Sequence, residues 1–343
     1  MKKVVTTLEN LKEASKISDK TSILEEVTDP VTKRVLNFLG DPNQVIGLST
    51  KKIQKAVEHV AHDLTLPELL DYLLEHNTGT ENEIGMVQYF INQYDEHTKD
   101  VLAQVIGKSW TTTVGASLLN KVYGVDFIPV FDVQLAFPYD KKIQGYKDDT
   151  IFVVTQKLDG FRAVVEVKDG KVLSVKTRKG KVIDGLSQLK ADIERVVDAN
   201  LGHFIFDGEL LLEDPENKWT SGERFQKTGQ MISADGECDG LGYNIFDALP
   251  YVEFAAGKSK LPYIERRKNY LETFTAGELV RAIPVLGTAD KAGIPAWSDY
   301  ATAQGFEGVM LNDPNAKYET KRTKGLLKVK KMHTADLQVC LLY

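Results

Sequence analysis

Cysteine is almost missing from this chain: Cys238 and Cys340 are the only two in 343 residues. Two thiols cannot build a four-cysteine zinc site or a disulfide framework, so a reducing cytoplasm is the expected setting. Also missing is any apolar run near the roughly 20 residues that a bilayer-crossing helix needs. The opening Met1–Thr7 lacks the longer apolar segment of a secretory leader. Positive charge is not in surplus either, with 43 Lys and Arg against 49 Asp and Glu and a net charge of −6. A uniformly basic surface is excluded, and contact with nucleic acid has to come from local patches. Internal repeats and low-complexity tracts are absent.

What is present is the composition of a globular protein, 42% apolar and 27% charged, long enough for two domains with separate cores. Residues 1–125 read as helices. Ile53, Ala56, Val57, Val60 and Ala61 recur at helical spacing, and Leu66–Leu74 carries an apolar stripe with Pro67 near its start. Asn82–Gln93 and Thr98–Ile106 predict two further helices. Up to Val125 the chain holds thirteen Lys and Arg against seventeen Asp and Glu, which still allows a basic patch at Lys51, Lys52 and Lys55. Pro129 and Pro138 mark extended connecting segments, and the domain boundary is expected near residue 126.

From Ile151 onward strands dominate. Ile151–Val154 and Phe161–Lys168 read as strands, and Asp169-Gly170 predicts a hairpin into Lys171–Lys176. Leu186–Ala199 returns to helical periodicity. Phe204–Phe206 is a short apolar strand followed by Asp207-Gly-Glu209, and Leu241–Leu249 is another strand. Glu213–Gly240, polar and glycine-rich, reads as an irregular excursion. Ile264–Thr273 and Ser298–Gln304 predict helices, the second delivering a turn and strand over Gly305–Leu311.

The most informative stretch is Thr155-Gln-Lys-Leu-Asp-Gly-Phe-Arg-Ala-Val-Val165. Lys157 ends one strand, Asp159-Gly160 makes the turn and Arg162 belongs to the strand that returns. A lysine amine attacks only when it has lost its proton. With an ordinary pKa near ~10.4, burial or neighbouring cations must favour that loss. Lys328 and Lys330, alternate residues of a later strand, place two ammoniums on one face.

Lys157-Leu-Asp-Gly-Phe-Arg162 has the form K-x-D-G-x-R and resembles the nucleotidyl-lysine motif of the covalent nucleotidyltransferases. Five companions follow in that superfamily's order: Thr177-Arg-Lys-Gly180, Phe206-Asp-Gly-Glu-Leu210, Tyr243-Asn-Ile-Phe-Asp247, Glu307-Gly-Val-Met310 and Leu327-Lys-Val-Lys330. Together they most resemble the ATP-dependent DNA ligases of tailed bacteriophages. The resemblance implies an α+β architecture: a helical DNA-binding domain (1–125), a mixed or antiparallel-sheet adenylation domain (126–332), and at 333–343 the start of an OB-fold domain that is otherwise absent. Without that barrel, slow self-adenylylation and poor sealing are expected.

By the same resemblance Lys157 attacks the α-phosphate of ATP and becomes lysyl-AMP. The AMP then passes to a nick 5′ phosphate, which the 3′ hydroxyl attacks. Arg162 matches an arginine that touches the ribose and later the nick, and Arg178 one that holds nucleotide and 5′ phosphate. Phe246 matches the ring that stacks on adenine. Lys328 and Lys330 face the α-phosphate, while Lys321, Arg322, Lys324 and Lys331 are placed to touch the DNA backbone. Glu209 contacts ribose or metal and Glu307 helps bind the metal, expected to be magnesium because the available donors are oxygens. Thr155 stands where a glutamate or glutamine commonly reads the adenine amino group, and Asn312 stands where a lysine or arginine is common.

The expected partner is nicked double-stranded DNA, without a membrane, with the enzyme acting as a monomer in the cytoplasm (the host's, if phage-encoded). An NAD-dependent ligase is disfavoured because its zinc cysteines are missing. Three rivals remain at this level: an RNA ligase, a capping guanylyltransferase, and an idle remnant that binds nicked DNA.

Overall fold

The computed structural model describes residues 1–330 apart from 112, 113, 235 and 273. The expected start of the OB-fold domain, with Lys331 and Cys340, lies outside the described residues. The chain divides into two units, Met1–Val130 and Phe131 onward.

The first unit is helical: α1 (Lys2–Glu13), α2 (Ile17–Glu25), α3 (Pro30–Gly40), α4 (Thr50–Ile53), α5 (Leu66–Glu75), α6 (Glu81–Ile91), α7 (Glu96–Ile106) and α8 (Ala116–Tyr123). Helix α5 buries Leu66, Leu69, Leu70 and Leu73, the stripe its sequence predicts. Threonines 65 and 80 start α5 and α6 through reciprocal bonds with Glu68 and Glu83. The helical core extends past α8 to Ile128, whose backbone N–H and C=O are both held by the Asn120 side chain.

One helical expectation fails here. The spacing Ile53–Ala61 produces only the single turn α4, because Gln88 on α6 donates to the carbonyls of both Ile53 and Lys55. His62 likewise bonds the Met86 carbonyl, so the segment lies along α6 instead of coiling. Apolar periodicity cannot distinguish a helix from a strap pinned by side chains. In the proposed basic patch, Lys52 donates to the Gly47 carbonyl, leaving Lys51 and Lys55 exposed.

The second unit holds twelve strands and six helices among the described residues. In chain order they begin β1 (Leu135–Pro138), α9 (Tyr139–Lys142), β2 (Phe152–Lys157), β3 (Phe161–Lys168), β4 (Lys171–Thr177), α10 (Ser187–Val196) and β5 (His203–Leu212). Next come α11 (Ser221–Ser233), β6 (Leu241–Pro250), α12 (Tyr251–Ala255), β7 (Lys258–Pro262), and α13 (Tyr263–Arg266), which runs into a π-helical turn. The unit closes with β8 (Val280–Ala282), β9 (Val285–Ala289), α14 (Ile294–Ala303), β10 (Gly308–Asn312), β11 (Lys317–Glu319) and β12 (Arg322–Val329).

Two five-stranded sheets organise it, in the orders β1-β12-β10-β2-β9 and β4-β3-β5-β6-β8, with β11 and β7 paired separately. Only β1–β12 and β6–β8 are parallel, so the sheets are mixed and mainly antiparallel. Phe152, Val154, Val309, Leu311 and Leu327 form a core on one face of the first sheet. Ala163, Val165, Phe206 and Ile245 do the same for the second. Alternation then sends the intervening residues to the opposite faces.

Residues 213–240 correct the sequence reading, since much of that stretch is helix α11. Thr220 and Glu223 close a capping box at its start. Only Thr228 is fully buried along it, too thin a stripe to register as periodicity. Asp207-Gly-Glu209 likewise falls inside a ten-residue strand, not after a short one. No helix among the described residues is long and apolar enough to cross a membrane.

Candidate active site

On β2, Phe152 and Val154 face the core, so Thr155 and Lys157 point the other way. The register pairs Lys157 with Gly308 and Thr155 with Met310, and Met310 in turn with Lys328 of β12. One sheet face thereby gathers residues from three distant parts of the chain. Gly308 is required at this point, because a Cβ would collide with the Val329 carbonyl oxygen. Gly160 plays the same part in the turn to β3, where a Cβ would sit 2.9 Å from Glu209 Cγ.

The second sheet supplies the facing wall. Arg162 pairs with Glu209 across β3 and β5. Phe246 is the unpaired residue of a bulge in β6, between Ile245 opposite Gly208 and Asp247 opposite Asp207. A bulge turns a side chain away from the strand's regular alternation, and here it brings both Phe246 and Asp247 to the cavity.

The resulting cavity has a volume of about 250 Å³ and is lined by Thr155, Lys157, Arg162, Arg178, Glu209, Phe246 and Lys328 among others. Glu307 and Lys330 complete the group from its edge. Glu307 accepts from the Lys157 ammonium and lies 3.6 Å from Lys330 Nζ. All nine site residues expected from the sequence therefore come together. Arg178 makes no hydrogen bond or ion pair among the described residues, which leaves its guanidinium available to the cavity.

Arg162 is the most firmly held of these side chains. Its Nε donates to Asp207 Oδ1 at 2.8 Å, Nη2 to Asp207 Oδ2, and Nη1 to the Gln134 carbonyl at 2.6 Å. Asp207 is wholly buried and also accepts from the Tyr318 hydroxyl at 2.6 Å. Burial alone disfavours the guanidinium charge, but the Asp207 carboxylate outweighs it and holds Arg162 firmly protonated. The guanidinium carbon lies 5.0 Å from the centre of the Phe246 ring.

Asp207 and Tyr318 were not singled out in the sequence. Alternation with Glu209 on one strand could have pointed to Asp207. Tyr318 carries no such signal, being 111 residues away in the chain. Gln134, Met310 and Arg322 also line the cavity without having been assigned to the nucleotide.

Glu209 makes no ion pair or hydrogen bond among the described residues. Burial pushes its carboxyl up to about 7, against the partial offset of Arg162 and Lys157. Burial also lowers Lys328, helped by the positive charges of Lys330, Lys157 and Arg322. No group of three or more His, Cys, Asp or Glu side chains able to hold a metal occurs among the described residues. A magnesium ion that borrows ligands from phosphate and water needs only one or two carboxylates. Glu209 and Glu307 fit that mode.

The Glu209 shift has a stability consequence. Its pKa is about 7 folded against 4.5 as reference, so the folded state binds the proton more tightly between those values. Stability from this group is then greatest below the lower value and declines as pH rises toward 7. Above that the full penalty applies, on the order of 3 kcal/mol. Glu209→Gln should raise the melting temperature by several degrees near pH 8 and change it little near pH 4, as followed by circular dichroism. An unaltered melting temperature at the higher pH would contradict a desolvated carboxylate.

Residues 134–330 match the family model described as ATP-dependent DNA ligase domain. Over 328 residues the chain is 24% identical to the DNA ligase of Enterobacteria phage T4, covering 82% of this chain and 65% of that protein. A probable DNA ligase of Mycobacterium sp. (strain KMS) is 32% identical over 194 residues, 54% of this chain and 34% of the relative. The chain thus spans about two thirds or less of the length of these relatives. The fold resembles a solved structure named Pmar-Lig_PreS3 with a TM-score of 0.72 and 19% identity, covering 96% of this chain and 78% of the other.

Proposed function

The chain belongs to the ATP-dependent DNA ligase domain family, and from that premise we propose that it activates and joins nicked duplex DNA through an AMP group carried on Lys157. The supporting observation is the convergence around that one amine. Residues from β2, β3, β5, β6, β10 and β12 meet in a single cavity, with cations and carboxylates sorted to opposite partners.

Lys157 is the nucleophile toward the α-phosphate of ATP. The N–P bond forms as the bond to the pyrophosphate oxygen breaks, giving lysyl-AMP and free pyrophosphate. Glu307, which accepts from the amine, orients it and is the nearest acceptor for its departing proton. Lys328 and Arg178, which make no ion pair among the described residues, lie on the cavity wall and offset the charge that grows on the phosphate and leaving group. Phe246, with Met310 and Ile283, supplies an apolar slot for the base. Arg162, fixed by Asp207, offers the remaining edge of its guanidinium to the ribose and then to the nick. Magnesium, held by Glu209 and Glu307 together with phosphate oxygens, would neutralise the triphosphate.

The test is covalent labelling. With magnesium and α-labelled ATP, the denatured chain should retain label that is released by acid and stable to alkali, as a phosphoramidate behaves. The labelled protein should then pass AMP to a nicked DNA duplex and seal it. Label from GTP alone would redirect the reading to capping, and no label would leave a DNA-binding remnant.

A further inference from the structure

A second cavity, of about 160 Å³, lies on the same face of the β4-β3-β5-β6-β8 sheet. Along β5, Ile205 lines it and Glu209 lines the first cavity, with Asp207 between them. Asp207 is fully buried beneath the Tyr318 hydroxyl, and Tyr318 packs on Phe254 at 6.2 Å between ring centres. None of the nucleotide-site residues lines this second cavity.

Most of its lining is apolar. Val164 and Ile205, 1% and 2% exposed, come from the sheet, and Phe131, Tyr251 and Phe254 add three rings. Those rings are held in place. Phe131 and Phe254 pack at 5.6 Å between centres, and His203 stacks on Tyr251 at 3.9 Å. Glu166, Ser174 and Lys176 supply the polar part of the lining. Glu166 has both carboxylate oxygens engaged, Oε2 by the Ser174 hydroxyl at 3.2 Å and Oε1 by His203 Nε2 at 2.9 Å. Lys176 is different. Its Nζ lies 3.6 Å from Glu166, too far for a hydrogen bond, and 5.7 Å from the centre of the Phe131 ring. The ammonium therefore keeps its hydrogens for a ligand.

We propose that this cavity binds a planar aromatic ring bearing an anionic group, with the ring among Phe131, Tyr251 and Phe254 and the anion on Lys176 Nζ. Apolar cavities of this order take up a benzene-sized ring. Rings packed among rings also gain from offset or edge-on contact beyond the area they bury. A cationic group on the same ring would meet the like charge of Lys176 and find Glu166 already engaged. An uncharged ring would cover the ammonium without giving it an acceptor. The anion is a carboxylate or a phosphate, since both accept charge-assisted bonds from an ammonium. This binding does not depend on the chemistry assigned to Lys157.

The experiment is calorimetric titration of the full chain with indole-3-acetate, phenyl phosphate, tryptamine and indole. At least one of the two anions should bind saturably with a Kd below ~1 mM, and the tighter of them identifies the anionic group. Tryptamine, which carries an ammonium on the same ring, and indole itself should bind at least ~10-fold more weakly. Lys176→Met should weaken the anion by at least ~10-fold, and Lys176→Arg by less than ~3-fold. Ala255 is exposed yet lines the cavity, so Ala255→Phe should fill it and abolish binding without touching the core. Melting temperatures verify that each variant is folded. No saturable binding of either anion, or tryptamine binding as tightly as the anions, would overturn the proposal. So would an affinity unchanged in both Lys176→Met and Ala255→Phe.

Discussion

Lys157→Ala is expected to give a folded protein that takes no label from α-labelled ATP, a loss of at least ~10³-fold. Lys157 lies at the end of β2 with its side chain one fifth exposed, so truncating it opens no core cavity. Glu307 keeps Lys330 as a partner at 3.6 Å and is not left as an isolated charge. The loss would therefore report chemistry and not unfolding, which circular dichroism at matched temperature verifies. Lys157→Arg sharpens the result. It retains a positive charge beside Glu307, yet a guanidinium does not lose its proton and cannot attack. Both variants should be equally unlabelled, with the arginine form binding ATP more tightly. Label above a tenth of wild type in either would reassign the nucleophile to Lys328 or Lys330.

The second large effect is expected at Asp207. Asp207→Ala leaves the Arg162 guanidinium without its counter-charge in a site where that side chain is only 14% exposed. It also removes the acceptor of the Tyr318 hydroxyl. Breaking a buried pair by deleting one partner costs about 3–5 kcal/mol. The midpoint of urea unfolding should fall accordingly, and ATP labelling by more than ~100-fold, because Arg162 no longer keeps its place over Phe246. Tyr318→Phe, which removes only one hydroxyl, should cost about 1–2 kcal/mol. The two effects should be less than additive, since both act on the same carboxylate. Simple additivity in the double variant would mean that the tyrosine does not help position the arginine.

Position in the chain explains what each source of information could supply. Lys157, Arg162, Arg178, Glu209, Phe246, Glu307, Lys328 and Lys330 were all legible because each sits inside a short segment whose order is itself a signature. The strands on either side of the turn at Lys157 were equally legible, since Ile151–Val154 and Phe161–Lys168 read as strands and β2 and β3 span Phe152–Lys157 and Phe161–Lys168. Helix α11 was not, because its start is a capping box in a polar stretch and it buries almost nothing. The strap following α4 misled for the converse reason, having helical spacing but backbone carbonyls already claimed by Gln88.

By itself, the sequence determined that a helical unit precedes a unit of mixed sheets, and which short segments carry reactive side chains. That information is local: alternation, caps, turns and motif order are properties of neighbouring residues. Only the tertiary structure decided that Tyr318 reaches Asp207, that a bulge brings Phe246 to the cavity, and that Asn312 bonds Thr155. Each of these is a pairing between residues far apart in the chain. Which carbonyl meets which amide depends on strand register, and register is set by the packing of two whole sheets.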